Sequence, residues 1–107
     1  MTSADWIERL RAASSEPEVV GIASEYLASL NRFELAMLPS RCQPRALRCG
    51  HDVSSYAFEL VGHYCDATDA SARIVHALAT FFTQASTRLS EIVTDTNTRH
   101  PASRRAE

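Results

Sequence analysis

Residues 70–93, ASARIVHALATFFTQASTRLSEIV, carry the longest helical pattern of the chain. Apolar residues recur there in steps of three and four positions, a spacing that places them on one face of an α-helix. A helix of this length would extend for about 36 Å, whereas the other predicted helices cover only about 10 to 16 residues. The face resembles the seam of a coiled coil, and its residues are Ile74, Leu78, Phe81, Phe82, Ala85, Leu89 and Ile92.

Three shorter amphipathic helices are predicted before this segment. The first covers about residues 5–14. The second follows the stretch SEPE at residues 15–18, where Ser15 can cap the helix and Pro17 suits its first turn. The third starts near Asp52, a capping residue, and has the most regular apolar stripe of the chain, formed by Val53, Tyr56, Ala57, Leu60, Val61 and Tyr64.

These four segments predict an all-α fold, specifically an antiparallel four-helix bundle with a long last helix. A length of 107 residues is typical of one domain, which we assign to residues 1–94. The last residues, TDTNTRHPASRRAE, are polar and lack periodicity. Residues 95–107 are therefore predicted to form a disordered tail.

Composition narrows the chemistry that the chain can perform. All 11 of its Lys and Arg residues are arginine. A Walker-type phosphate lysine, a Schiff-base lysine and a Ser-Lys dyad are therefore impossible within this chain. A net charge of −2 provides no overall positive field for nucleic acid, so nucleic-acid binding is not expected.

Cysteine use and hydropathy indicate the compartment. Three cysteines, an odd number, favour free thiols over a disulfide framework. The first ten residues, MTSADWIERL, lack the basic and apolar regions of a secretory signal. No apolar run approaches the roughly 20 residues needed to span a bilayer. We therefore expect a soluble, cytoplasmic protein without a membrane segment.

One segment, SRCQPRALRCGHDV at residues 40–53, concentrates positive charge. Residues 39–51 hold three arginines and no acidic residue, whereas residues 1–38 hold six acidic residues and three arginines. Pro44 suits a helix start and Gly50 suits the position after a helix end. The stretch PRALRC at residues 44–49 is therefore predicted to form a short helix.

Arginine side chains near the amino end of the third helix can hold a phosphate or a carboxylate. This placement predicts an anion- or nucleotide-binding site made of Arg41, Arg45, Arg48 and His51. Two other roles compete with this one. Asp52 can occupy the same N–H groups as a helix cap, and the arginines can form salt bridges with the acidic first half of the chain.

Cysteine and histidine residues also cluster between residues 42 and 65. Zinc needs about four ligands within roughly 2.0–2.3 Å of one point. His51 and His63 lie 12 positions apart, which is about 18 Å along a helix. Only an antiparallel dimer that joins opposite helix ends would gather the full set, which is Cys49, His51, His63 and Cys65. We predict no cofactor, and this dimeric metal site is an outlying alternative.

Phe58 lies roughly 130° from the centre of the apolar stripe of its helix and so points away from the predicted core. An outward aromatic residue and a last helix longer than its neighbours both favour association with another protein. The sequence offers no recognisable set of catalytic residues. It therefore predicts a non-enzymatic interaction or assembly module that acts as a homodimer, with Phe58, Leu89 and Ile92 at the interface. A regulator that binds anions through residues 41–51 is the alternative.

Overall fold

The computed structural model describes residues 3–64 and 71–99. Within these two ranges the chain folds into five α-helices and one 3₁₀ turn, with no β-strand, which confirms the all-α prediction. The helices are α1 (Ser3–Ala12), α2 (Glu16–Ala28), α3 (Arg32–Met37), α4 (Gly50–Tyr64) and α5 (Ser71–Arg99), and the 3₁₀ turn (Ser40–Cys42) lies between α3 and α4. In the described part of the chain, no helix has the length and apolar character that a membrane span requires.

Local capping signals determine where α2 and α3 begin. Ser15 caps α2 as predicted, because its hydroxyl accepts a hydrogen bond from the Glu18 N–H. The Glu18 carboxylate in turn accepts a hydrogen bond from the Ser14 hydroxyl at 2.9 Å, which lowers the pKa of Glu18. Asn31 and Glu34 form a complete capping box, which makes α3 a separate helix from α2.

The connector between α3 and α4 is not the short helix that the sequence predicted over residues 44–49. Its backbone is irregular as far as Arg48, and the helical turn lies earlier, at Ser40–Cys42. A helix there would direct the Arg48 N–H to the carbonyl of Pro44. The Arg48 N–H instead donates to the carboxylate of Asp52 at 2.8 Å. The Asp52 side chain therefore favours the irregular backbone.

α5 extends further toward its carboxyl end than the apolar pattern predicts. It ends at Arg99, so residues 95–99 of the predicted tail are helical, and residues 100–107 lie outside the described part. A Cβ built on Gly50, the first residue of α4, would lie 3.3 Å from the Cδ1 atom of Leu89. α5 therefore continues about 15 Å beyond the start of α4.

α4 and α5 form the most extensive helix pair of the described structure, and they run antiparallel. The Ser54 hydroxyl lies 3.0 Å from the Ser86 hydroxyl, and the Tyr56 ring centroid lies 4.8 Å from that of Phe82. Moving along α4 toward its carboxyl end, the contacted residues of α5 lie closer to its amino end, which shows that the two helices are antiparallel. α1 and α2 pack against α5, and α2 also contacts α4. The finer prediction of a four-helix bundle stays a prediction.

Aromatic rings from four helices meet in the core. Tyr26 of α2 stacks on Phe81 of α5 with ring centroids 4.0 Å apart, and Trp6 of α1 meets Tyr26 edge-on at 5.3 Å. Phe82 of α5 packs edge-on against Tyr56 of α4. All five side chains are buried. Such ring pairs add about 0.5–1.5 kcal/mol each beyond the burial of their area, so the cluster joins α1, α2 and α4 firmly to α5.

Arg88 makes a second link between α1 and α5. Its Nε and Nη2 atoms both donate to the carbonyl of Ala13, at 3.0 and 2.7 Å, just after α1 ends. Its Nη1 atom donates to the carboxylate of Glu91 at 3.2 Å. A cation at the carboxyl end of a helix is stabilised by the helix dipole. Arg88 therefore fixes the end of α1 against α5.

Candidate functional site

Carboxylates of the chain itself occupy the amino end of α4, where the sequence predicted an anion site. The Gly50 N–H donates to Oε2 of Glu16 at 2.6 Å, and the Arg48 N–H donates to Oδ2 of Asp52 at 2.8 Å. Free N–H groups at a helix start attract anions, and here Glu16 and Asp52 supply the negative charge. Asp52 is the third residue of α4 and accepts from Arg48, which precedes the helix, so its predicted place as the capping residue is corrected.

The residues of the predicted anion site have different surroundings. Arg45 lies over the Tyr56 ring, with its Cζ atom 5.0 Å from the ring centroid, and its Nη2 atom donates to the Arg41 carbonyl at 3.0 Å. These contacts hold the connector against α4. All four residues, Arg45 included, are exposed. Arg45 therefore helps to hold the connector, and the anion-binding hypothesis for all four residues stays a prediction.

A buried thiol lies beneath the connector. Cys42 belongs to the core, and its carbonyl accepts a hydrogen bond from the Tyr56 hydroxyl. Burial raises the pKa of the Cys42 thiol, the charge of Glu59 raises it further, and Arg45 lowers it. Burial likewise raises the pKa of Tyr56. A thiol that stays protonated at neutral pH is a poor nucleophile. Cys42 is therefore better suited to core packing than to nucleophilic catalysis.

The side chains of the predicted metal site lie at opposite ends of α4. Cys49 and His51 are at its start and His63 is near its end, about 18 Å away, while Cys65 lies outside the described residues. Among the described residues, no group of three or more His, Cys, Asp and Glu side chains is arranged to hold a metal ion. A site made from the predicted ligands would therefore need the opposite helix ends of two chains.

The three residues of the predicted interface lie in different environments. Phe58 has 81% of its surface exposed, which confirms its outward orientation. Leu89 is only 8% exposed and belongs to the core, and its place at an interface stays a prediction. Ile92 is half-buried. Of the three, Phe58 is the residue most available to a partner.

An open groove of about 780 Å³ lies where the turn between α1 and α2, the start of α4 and the last third of α5 meet. It is lined by five serine and threonine hydroxyl groups and, on its apolar side, by Leu89, Ile92 and Val93. His51 of the predicted anion site also lines it. The groove was not predicted, because three elements distant in sequence form it. Three of its lining residues, His51, Leu89 and Ile92, belong to two separate predicted sites.

The surface around Phe58 is uncharged. On α5, residues 74–87 contain no Asp, Glu, Lys or Arg, and on α4 the only such residue within 53–64 is Glu59. Glu59 lies on the side of Cys42, whose thiol pKa its charge raises. We name the exposed residues of this surface the α4–α5 seam: Phe58, Val61 and Gly62 of α4, and Thr80, Thr83 and Thr87 of α5.

The groove and the α4–α5 seam are continuous. Ser54 and Ser90 line the groove, and they lie within one helical turn of Phe58 and Thr87 of the seam. No known protein family, curated protein or solved structure matches this sequence. The chemistry and shape of this continuous surface are therefore the basis for a functional proposal.

Proposed function

We propose that this chain is a non-enzymatic protein-association module that acts as a homodimer. The observation that carries the proposal is Phe58, an aromatic side chain 81% exposed within an uncharged surface. Burial of such a side chain contributes about 1.5–3 kcal/mol, which a monomer leaves unused. The centres of protein interfaces are rich in aromatic residues and poor in charged ones. Phe58 and its surroundings have both properties.

The extension of α5 supports the same proposal. Beyond the start of α4, this helix carries Val93 with 58% of its surface exposed and Ile92 half-buried along the groove. When a second chain covers apolar residues on a helix that extends beyond its neighbours, their burial stabilises the complex. The extended end of α5 is therefore a second region that association would bury.

The finer predictions on architecture and compartment belong to this proposal. In it, α1, α2, α4 and α5 are the members of the antiparallel four-helix bundle, and α3 with its six residues belongs to the connector. Cys42 and Cys49 are free thiols, as suits a reducing compartment such as the cytoplasm. The dimer would thus form without disulfide support.

Native mass spectrometry of the purified protein, without chelator, tests the homodimer. We expect a mass of twice the 11.8 kDa chain, in a fraction that rises with concentration in the micromolar range. Sedimentation velocity of the same sample controls for aggregation during spraying. The mass of a single chain at every concentration would contradict the proposal. Additional mass from zinc on the dimer would instead support a metal site between two chains.

The alternative is an anion-binding regulator that uses the exposed side chains of Arg41, Arg45, Arg48 and His51. It predicts that inorganic phosphate raises the melting temperature of the wild-type protein, because a ligand that binds only the folded state stabilises it. Arg48→Glu would abolish this shift, whereas Arg11→Glu, at an exposed position on α1, would retain it. An unchanged melting temperature in phosphate would exclude this function for the phosphate group.

A further inference from the structure

We infer that a second copy of this chain docks on the α4–α5 seam, so that two α4–α5 pairs pack face to face about a two-fold axis. This inference rests on the proposed function. It specifies which surface of the chain forms the dimer and which symmetry relates the two copies. Charge, shape and size of the seam each favour a copy of the same chain as its occupant.

The charge distribution distinguishes the seam from the other helix faces. In a two-fold interface each residue near the axis meets its own copy, so a charged residue there faces a like charge. Residues 74–87 of α5 bring no formal charge to such an interface. The surface of α1 and α2, by contrast, carries exposed charged residues at Glu8, Arg11, Glu18 and Glu25. Self-association without repulsion is therefore easiest through the seam.

The shape of the seam is self-complementary. Phe58 projects from α4, and a hollow of about 290 Å³ opens between Val61 of α4 and Thr80 and Thr83 of α5, with His76 and Gln84 also in its lining. Phe58 and Val61 are three positions apart and so are neighbours on one helix face. A two-fold axis between the projection and the hollow would place each Phe58 in the hollow of the partner. One face thus supplies both halves of the contact.

The size of the seam also approaches that of a specific dimer interface. Its two helices are about 22 Å long for α4 and about 36 Å for residues 71–94 of α5, each about 10 Å wide. Together they present a projected face of about 580 Å². The solvent-accessible area is larger than this projection, because side chains protrude from the helices. Specific interfaces bury about 800 Å² on each partner. The projected face is about 70% of this area, and the adjoining groove adds the surfaces of Ile92 and Val93 to it.

Sedimentation velocity of three variants of the full chain tests the inference. Phe58→Glu puts a charge on the projection, and Thr83→Arg puts one at the hollow, on the other helix. Phe33→Glu is the matched control, because Phe33 is 72% exposed on α3, outside the seam. Because the two-fold axis relates the two chains, each substitution occurs twice in the interface. Both seam variants should therefore raise the dimer Kd at least about 100-fold. The control should change it less than about 3-fold.

Circular dichroism checks that each variant is folded. We expect all three to fold, because all three positions are exposed in the monomer. A wild-type dimer whose Kd rises as stated in both seam variants and not in Phe33→Glu supports the inference. A dimer that persists in either seam variant overturns the inference and leaves the homodimer of the proposed function intact. A wild-type protein that is monomeric at every concentration overturns both.

Discussion

Replacing Phe82 with alanine is expected to lower the free energy of unfolding by about 3–5 kcal/mol. Phe82 is fully buried, and its ring meets those of Tyr56, Phe81 and Tyr26 at centroid distances of 4.8, 5.2 and 6.3 Å. Alanine would leave a cavity between α2, α4 and α5 and would remove these ring contacts. Because small domains have only about 5–15 kcal/mol of stability, this loss brings the chain close to unfolding.

Urea unfolding followed by circular dichroism measures this loss. The matched control is Phe33→Ala, which removes the same side chain from a position that is 72% exposed and should change the stability by less than about 0.5 kcal/mol. Equal losses in the two variants would show that Phe82 is not a core residue. A variant of Phe82 too unstable for a folded baseline can be measured in an osmolyte such as sucrose, beside wild-type protein in the same solution.

Phe82 also shows what the sequence alone predicts well. Its place in a stripe of three- and four-residue steps assigned it to the core, and the structure buries it fully. The same pattern placed Val53, Tyr56 and Leu60 of α4 correctly, whereas Val61, which it assigned to the same stripe, is 45% exposed. The correct predictions succeed because the buried face of a helix follows from spacing within one segment. Information on the neighbouring helices is not needed for them.

The connector before α4 could not be predicted in the same way. α4 begins at Gly50 because the carboxylate of Glu16, 34 positions earlier, accepts its N–H. Local propensity contains no information on a partner so distant in sequence. The pattern from Pro44 to Gly50 suited a helix, but the N–H of Arg48 finds a better acceptor in Asp52. Tertiary and side-chain hydrogen bonds thus overrode the local signal.

The candidate site was predictable only where a single helix determines it. The angle of Phe58 on its helix was enough to place it in solvent. Leu89 lay on the apolar stripe of α5, and periodicity does not tell whether the same chain or a partner covers such a stripe. The seam additionally requires Thr83 to lie beside Val61, a juxtaposition that only the packing of α4 on α5 creates.

Alkaline pH is expected to destabilise the folded chain through groups that the core keeps protonated. Burial raises the pKa of the Cys42 thiol, and the charge of Glu59 adds to the effect. Burial also raises the pKa of Tyr26, with the charge of Glu34 as a further cause, and raises that of Tyr56. The folded chain therefore holds these protons at pH values where the unfolded chain releases them.

The sign of the effect follows from this difference in proton binding. Below the unfolded-state values, about 8.5 for cysteine and about 10 for tyrosine, the full stability is present. Above them, each group lowers the free energy of unfolding by about 1.4 kcal/mol per pH unit until its folded-state pKa is reached. The loss should therefore begin with Cys42 and become steeper above about pH 10, where both tyrosines contribute.

Tyr56→Phe separates the hydrogen bond of this side chain from its titration. At neutral pH the variant should lose about 1 kcal/mol, because the buried carbonyl of Cys42 no longer receives the phenol hydroxyl. Above about pH 10 its stability should fall less steeply than that of the wild type, by the contribution of one group. Urea unfolding at several pH values measures both effects.

The matched control for the titration is Phe33→Tyr, which adds a tyrosine at an exposed position and should leave the pH dependence unchanged. If Tyr56→Phe and the wild type lost stability with the same slope above about pH 10, Tyr56 would not be held protonated by the core. A shallower slope would show that the core excludes the phenolate. The contact between Tyr56 and Cys42 would then tie the stability of the connector to the packing of α4 against α5, the helix pair that forms the seam.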